Sequence, residues 1–399
     1  MKIVHIEDYF HPEAGYQVNL LSKYHAKKGH KVFIITAEMS KLPTNLTSFF
    51  GNENIDQKDS DYFMETGVKI IRVPLLSYFS GRAIYSNKIF SVADSLSPDI
   101  LYVHGNDTYI GMRYTLRIQK LRYPIILDNH MLEMASLNPF NKVFRWFYRK
   151  VIAPLIIKHK LTIIRTVDDC YIEKCLGIPL NRSILMSFGT DTDLFQPDET
   201  VRSFFRNKHE IAKEDFVVIY AGKLDESKGG LLLADSLKNK LVTRTGRHIT
   251  FIIIGNTVND YGKEFESRIN KSNNKLIRFS TQKYADLAKF YQTADLAIYP
   301  KQCSLSFFDV QACGLPVLFE NNDINVKRAC FQNAITYESN NINDFRDKVI
   351  QLADMNVDDY SILKINSRNY ALKYYDYNKV AAQYEKVLED EVIMYWHKH

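Results

Sequence analysis

The sequence predicts an α/β protein of two doubly wound, Rossmann-like domains, and three observations carry that expectation. Short apolar runs bounded by turns recur along the chain: KIVHI, KVFIIT, VKIIRV, DILYVH and YPIILDNH in the first half, then FVVIYAG, ITFIIIG, KLIRF, LAIYP and LPVLF in the second. They are apolar throughout rather than alternating, as strands covered on both faces of a parallel sheet must be. Segments of helical period separate them, such as QVNLLSKYHAKKG at 17–29 and GLLLADSLKNKL at 230–241, and these supply the crossovers that parallel strands require. The length of 399 residues exceeds the size at which one core usually stops growing, so two domains are expected.

The join is placed at GTDTDLFQPDETVRSFF, 189–205, where a Gly, Asp, Thr and Pro cluster parts the last helical segment of one half from the first strand of the next. The expected division is 1–198, 199–374 and a C-terminal segment, 375–399. Within the last, YDYNKVAAQYEKVLEDEVIMYW has helical periodicity and is expected to pack back on the first domain. Ligands of open α/β sheets sit beyond the carboxyl ends of the strands, so two facing sheets would bind theirs in a cleft, and chemistry is sought at strand ends.

Composition narrows the class. Hydrophobic residues at 46% and charged residues at 25% make an ordinary globular chain. A net charge of +6 is too diffuse to imply nucleic acid and suits a phosphorylated ligand or an anionic membrane surface equally. Cys170, Cys175, Cys303, Cys313 and Cys330 are odd in number and lack zinc-type C-x-x-C pairing, so they read as reduced thiols of a cytosolic protein. The N-terminus MKIVHIEDYF enters a strand within three residues, which leaves no room for a signal peptide. No run approaches the ~20 apolar residues of a spanning helix, so the chain is expected to be soluble or peripherally attached.

Two segments of the second half carry the chemistry. AGKLDESKGG, 221–230, reads as a strand running into a glycine turn with Lys223 and Lys228 just beyond Gly222, yet it lacks both the spacing and the hydroxyl of a P-loop. LAIYPKQCSLSFFDVQACGLPVLFE, 296–320, places a strand, a polar loop and a helix from about Leu305. Ser304 is a good N-cap, so the backbone at Ser304, Leu305 and Ser306 is expected to face an anion, with Lys223 and Lys228 opposite. Asp309, one turn in, is placed to accept hydrogen bonds from a ribose.

These segments resemble family 4 glycosyltransferases of GT-B fold. AGKLDESKGG resembles their G-R-x-x-x-x-K-G element and FDVQACGLPVLF their E-A-x-A-C-G-x-P-V-V element. In the first half HPEAGYQ (11–17) resembles the P-x-x-G-G loop, ILDNH (126–130) the strand ending in histidine, and SFGTDTDLFQPD (187–198) the N-G-V-D-x-x-x-F-x-P linker. The five elements occur in the family's order and span the chain. The resemblance implies a nucleotide-sugar donor, UDP-linked, in the second domain and a glycan or polyprenyl-linked acceptor in the first. It implies hexosyl transfer with retention, in bacterial surface polysaccharide synthesis, with no bound metal and no other cofactor. A departing nucleoside diphosphate gathers negative charge, and without a metal fixed cations must meet it. Lys228 matches directly, Lys223 stands for the family arginine without its planar fork, and His130 matches the histidine near the reaction centre. Gly15 would let backbone approach the diphosphate, although Tyr16 replaces the second glycine of the pair.

Other positions leave alternatives open. Lys301 and Asp309 occupy the places of the family's paired glutamates, and an ammonium donates where a carboxylate accepts. Lys301 either faces a charged group on the donor or points to solvent while Gln302 or Ser304 takes its place. His104 is as readily structural or acceptor-side as catalytic, and a bare strand-end His130 would bond a backbone carbonyl. Asp191-Thr192-Asp193 has the D-x-D pattern of metal-diphosphate sites, but in a linker Asp191 is expected to cap a turn. FNKVFRWFYRKVIAPLIIKHK, 140–160, carries only basic charges, and Arg145, Trp146, Arg149 and Lys150 suit an interfacial helix on anionic lipid, at the inner face of the cell membrane. The stretch 45–67 reads as a polar excursion that covers an acceptor or forms a mobile surface loop. The rival functions are a nucleotide-sugar epimerase of similar fold and a silent glycosyltransferase-like binding subunit.

Overall fold

The computed structural model describes residues 1–47, 50–131, 141–257, 259–301 and 303–398. It divides into two compact units. The first comprises Met1–Thr47, Gly51–Phe188 and the chain from Asn378 onward, and the second Gly189–Tyr377. The division falls inside the linker SFGTDTDLFQPD, ten residues before the expected one, because Thr190 and Tyr377 pair their backbones (Tyr377 N to Thr190 O, 2.9 Å) and draw Gly189 into the second unit.

The strands are β1 (Lys2–Glu7), β2 (Lys31–Ala37), β3 (Lys69–Val73), β4 (Leu75–Phe79), β5 (Arg82–Tyr85), β6 (Ile100–Val103), β7 (Ile125–Asn129), β8 (Thr162–Arg165), β9 (Ser183–Leu185), β10 (Phe216–Ala221), β11 (Ile249–Ile254), β12 (Lys275–Phe279), β13 (Leu296–Tyr299), β14 (Val317–Glu320) and β15 (Ala334–Tyr337). The first unit holds a parallel sheet of order β3-β2-β1-β6-β7-β8-β9, with Ile3 opposite Val32 on one side and Ile100 on the other. The second holds a parallel sheet of order β12-β11-β10-β13-β14-β15, with Val218 opposite Phe251 and Leu296. Strand order reverses between β1 and β6 and between β10 and β13, so the loops after these strands splay apart and leave room for a ligand. Every residue of β10 and β11 is buried, which is the physical content of their unbroken apolar runs.

Three features depart from the sequence expectation. Within 45–67, Ile55–Thr66 is a helix rather than a loop. Arg72 on β3 fastens it, giving Nε and Nη2 to the two carboxylate oxygens of Asp59 at 2.6 and 2.8 Å. Ser48 and Phe49 of that stretch lie outside the described residues. An antiparallel hairpin, β4–β5, turns at Ser80 and Gly81 with φ of +50° and +78°, the left-handed pair that two-residue hairpins need. The helix expected over 230–241 stops at Ser236.

The final helix, Tyr377–Lys398, packs against the first sheet's unit. It buries Val380, Ala381, Tyr384 and Leu388. Glu385 meets His30 Nε2 at 2.7 Å, Glu391 accepts from Thr162 Oγ1 at 2.6 Å, and Tyr384 OH donates to the Met186 carbonyl at 3.0 Å.

Candidate functional site

In the second unit the expected donor residues other than Gly15 follow β10 and β13. The chain leaves β10 at Gly222, whose N–H bonds the Ile254 carbonyl. Lys223 is exposed, and its carbonyl takes the Tyr220 hydroxyl. Asp225 then winds a 3-10 turn, Glu226–Lys228, by accepting from Lys228 N at 3.1 Å and Ser227 Oγ at 2.7 Å. This turn carries the half-buried Lys228 against β13, where its Nζ lies 3.5 Å from the Cys303 carbonyl. Gly229 has φ +75°, and a Cβ there would stand 2.9 Å from Lys301 Cγ. Only glycine lets the lysine turn and the end of β13 come this close. Burial lowers the Lys228 pKa; Cys303 and Asp225 work to raise it, while Lys223 and Arg328 press it down further.

Beyond β13 the helix spans Ser306–Ala312 with Leu305 as its N-cap and no side-chain cap bond. The expectation that Ser304 caps it is therefore corrected. Ser304 Oγ bonds Ser306 Oγ at 2.5 Å, and Ser306 Oγ also meets Tyr299 OH at 2.9 Å, so these hydroxyls satisfy one another. Asp309 is buried. Its Oδ1 accepts from Thr190 Oγ1 at 2.7 Å and Tyr284 OH at 3.1 Å. Burial pushes its pKa up to about 7 against those two hydrogen bonds. The ribose contact expected of Asp309 thus competes with two protein hydroxyls. Gln302 lies outside the described residues.

Arg328, absent from the sequence expectation, is a further cation here. Its guanidinium sits over Phe307 and Phe308, 5.2 and 5.3 Å from the ring centroids, which suits a planar, weakly hydrated group. It acts on both Lys228 and Cys303: burial raises the Cys303 thiol pKa, and Arg328 and Lys228 draw it down. Asp191 Oδ1 accepts from Asp193 N at 3.1 Å and Leu194 N at 3.0 Å, so it caps a turn.

In the first unit, Gly15 lies half-buried in the turn between β1 and the helix Gln17–Lys27, and Tyr16 is that helix's N-cap. At the ends of β1, β6 and β7 stands a chain of ionisable groups. His130 Nε2 is 3.0 Å from Asp128 Oδ1, and its Nδ1 is 3.0 Å from Thr166 Oγ1. His104 Nδ1 is 3.0 Å from Asp128 Oδ2, and its Nε2 is 3.0 Å from His5 Nδ1. Gly105 N donates to Asp128 Oδ1 at 2.7 Å. Burial works to raise the Asp128 pKa, but His130 and His104 outweigh it and hold the carboxyl well below its usual range. Burial disfavours the His130 imidazolium, yet Asp128 carries its pKa above the ordinary value. Burial raises Glu7, opposed by His104 and His130. Of this group the sequence singled out His130 and His104; Asp128 and Glu7 were hidden inside the strand runs ILDN and KIVHIE.

The basic segment forms one helical run: Asn141–Phe147, a wider turn at Tyr148–Ile152, then Ala153–His159. Phe140 lies outside the described residues. Val143 and Trp146 are 70% and 63% exposed, and Lys142, Phe147 and Lys150 share their exposure, whereas Arg145 is half-buried. Arg149 bonds the carbonyls of Lys174 and Cys175, which commits it to its own unit. Among the described residues no helix is long and apolar enough to cross a membrane.

Residues 215–355 match the family model described as glycosyl transferases group 1. No curated protein matches the chain in sequence. Among solved structures, a glycosyltransferase from Rickettsia africae is 12% identical, covering 98% of each chain with a TM-score of 0.73. The Anabaena protein HepE in complex with UDP-glucose is 15% identical over 98% of this chain and 100% of its own, TM-score 0.73. WaaG, a glycosyltransferase involved in lipopolysaccharide biosynthesis, is 14% identical over 95% and 98%, TM-score 0.65. The chain thus has the GT-B fold, and its residues 215–355 are similar to the glycosyl transferases group 1 family.

Proposed function

We propose that the protein is a retaining glycosyltransferase that moves a hexosyl group from a UDP-sugar to a glycan or polyprenyl-linked acceptor in bacterial surface polysaccharide synthesis. The observation that carries this reading is that the family match, 215–355, encloses Lys223, Lys228, Lys301, Arg328 and the Ser304–Asp309 turn, gathered at the ends of β10, β13 and β14. Fixed cations there offset the charge that gathers on a departing diphosphate. Lys228 and Arg328 hold the phosphates, with Lys223 at the exposed rim, and no metal is needed for that task. His130 takes the role that its resemblance to the family's strand-end histidine implies. HepE binds UDP-glucose and WaaG serves lipopolysaccharide synthesis, which supports the donor class and the pathway.

The exposed face of Val143, Trp146, Phe147 and Lys150 supports peripheral attachment to anionic lipid. The five cysteines form no disulfide among themselves, which supports a reducing compartment, the cytoplasmic side of the cell membrane. Incubation with a panel of nucleotide sugars is expected to give slow release of UDP from one UDP-sugar, and NMR of the glycosyl product to show the donor's anomeric configuration retained. Absence of nucleoside diphosphate release from every donor, with and without acceptor lipid, defeats the assignment.

A further inference from the structure

His130 is held between two oxygens of its own unit. Its Nε2 stands 3.0 Å from Asp128 Oδ1, and its Nδ1 stands 3.0 Å from Thr166 Oγ1. Which ring nitrogens carry hydrogen follows from what those oxygens can do. A carboxylate only accepts, so Nε2 needs a hydrogen to approach it; a bare nitrogen lone pair would be repelled there. The Thr166 hydroxyl has one hydrogen, and the Asn129 carbonyl takes it at 3.1 Å. Toward His130 that hydroxyl therefore accepts, and Nδ1 needs a hydrogen as well. A neutral imidazole has a single N–H and leaves one of these contacts unmet, whereas the imidazolium satisfies all of them. The ring plane is fixed too, 11° from His104 at 6.3 Å between centroids and 21° from Phe188 at 5.6 Å. Burial opposes the charge, and Asp128, with Glu7 of β1 and Asp107 beyond β6, outweighs it. His104, the remaining titratable neighbour, sits behind the same carboxylate, its Nδ1 3.0 Å from Asp128 Oδ2.

We propose that Asp128 and Thr166 are positioning residues that keep His130 an imidazolium with both ring nitrogens spent inside the protein, so that it serves transfer as a fixed positive charge. Neither nitrogen is left to give or take a proton, and a cation held in place offsets negative charge as it develops. The charge state stands on the geometry of the first unit alone; its use in transfer rests on the glycosyltransferase reading.

NMR of the full chain with ¹⁵N-labelled histidine tests the charge state with no donor present. The His130 ring signals, identified by their loss in His130→Gln, are expected to stay doubly protonated above the ~6.5 midpoint of an unpaired histidine. Asp128→Asn is expected to bring the midpoint below ~6.5. Thr166→Val keeps the side-chain shape and decides the matter if Asp128→Asn does not fold. Its midpoint falls if the hydroxyl accepts from an N–H, and rises if the hydroxyl donates to a bare nitrogen. A wild-type midpoint at or below ~6.5, or a rise in Thr166→Val, overturns the proposal. UDP release then reads the second half. The wild type is expected to hold a level kcat across neutral pH, while Asp128→Asn loses kcat about tenfold per pH unit above its lowered midpoint, at unchanged donor KM. Level profiles in both overturn the part in transfer. Absence of UDP release from every donor removes that part together with the transferase reading and leaves the NMR result standing, so the two failures are told apart.

Discussion

Lys228 and Asp309 are both buried ionisable groups of the second unit, and they differ in what they have for partners. The Lys228 ammonium leans on a carbonyl at 3.5 Å and shares its surroundings with two other cations. A diphosphate would relieve it. Losing one charge-assisted hydrogen bond costs about 1.5–3 kcal/mol, so Lys228→Met is expected to weaken UDP binding by roughly 10- to 100-fold, measured by calorimetry, without lowering Tm. Asp309 has its hydrogen bonds from Thr190 and Tyr284 but little water. Its folded pKa of about 7 exceeds the ~3.9 of an unfolded aspartate, so the native state binds the proton more tightly. Its contribution favours folding below pH 4 and is lost as pH rises to 7, by at most ~4 kcal/mol. Urea unfolding of the second unit is expected to show that slope between pH 5 and 7.5, and Asp309→Asn to flatten it. Lys228 was legible in the sequence because glycine and lysine follow an apolar run. The burial of Asp309 was not, since Thr190 and Tyr284 reach it from 119 and 25 residues away. Arg328 was equally hidden, because it becomes part of the site only by stacking on Phe307 and Phe308.

At the scale of elements, burial decided what could be read. All ten apolar runs became strands, and the five strands not foreseen are those with weak patterns: β4 exposes Leu76 and Phe79, β5 has four residues, β9 has three, β15 is half-buried, and β8 follows directly on a basic helix end. The helix Glu199–Lys208 is pinned by Arg206, 4% exposed, which bonds Asp295 Oδ2 at 2.8 Å and the carbonyls of Thr293, Ala212, Lys213 and Asp215. Breaking a buried pair costs about 3–5 kcal/mol. Since Arg202 still pairs with Asp295 Oδ1, Arg206→Met is expected near the lower figure in chemical denaturation. The basic helix makes a different prediction. Trp146 and Lys150 are exposed while Arg149 is bound to its own unit, so Trp146→Ala with Lys150→Glu is expected to abolish co-flotation with anionic vesicles. Arg149→Gln is expected to lower stability instead, and retention of flotation by the double variant rejects the lipid-facing role.

For the whole molecule, the sequence yielded two parallel-sheet units because each half repeats the same strand-helix rhythm. It placed the boundary ten residues late because a Thr190–Tyr377 backbone bond has no local signature. The helix Tyr377–Lys398 contributes Ala381, Tyr384 and Leu388 to the first unit's interior, at about 1.5–3 kcal/mol for each large apolar side chain. A chain ending at Tyr377 is therefore expected to lose hydrogen-exchange protection in β8, β9 and the His30 loop while β10–β14 keep theirs. Equal loss in both sheets contradicts this division.

That helix also imposes an order of assembly. The first unit is interrupted in sequence by the second, and its closing piece is made only after residues 189–377 have been translated. A nascent chain can complete its second sheet while the first still lacks a wall, so the part synthesised first is the part finished last.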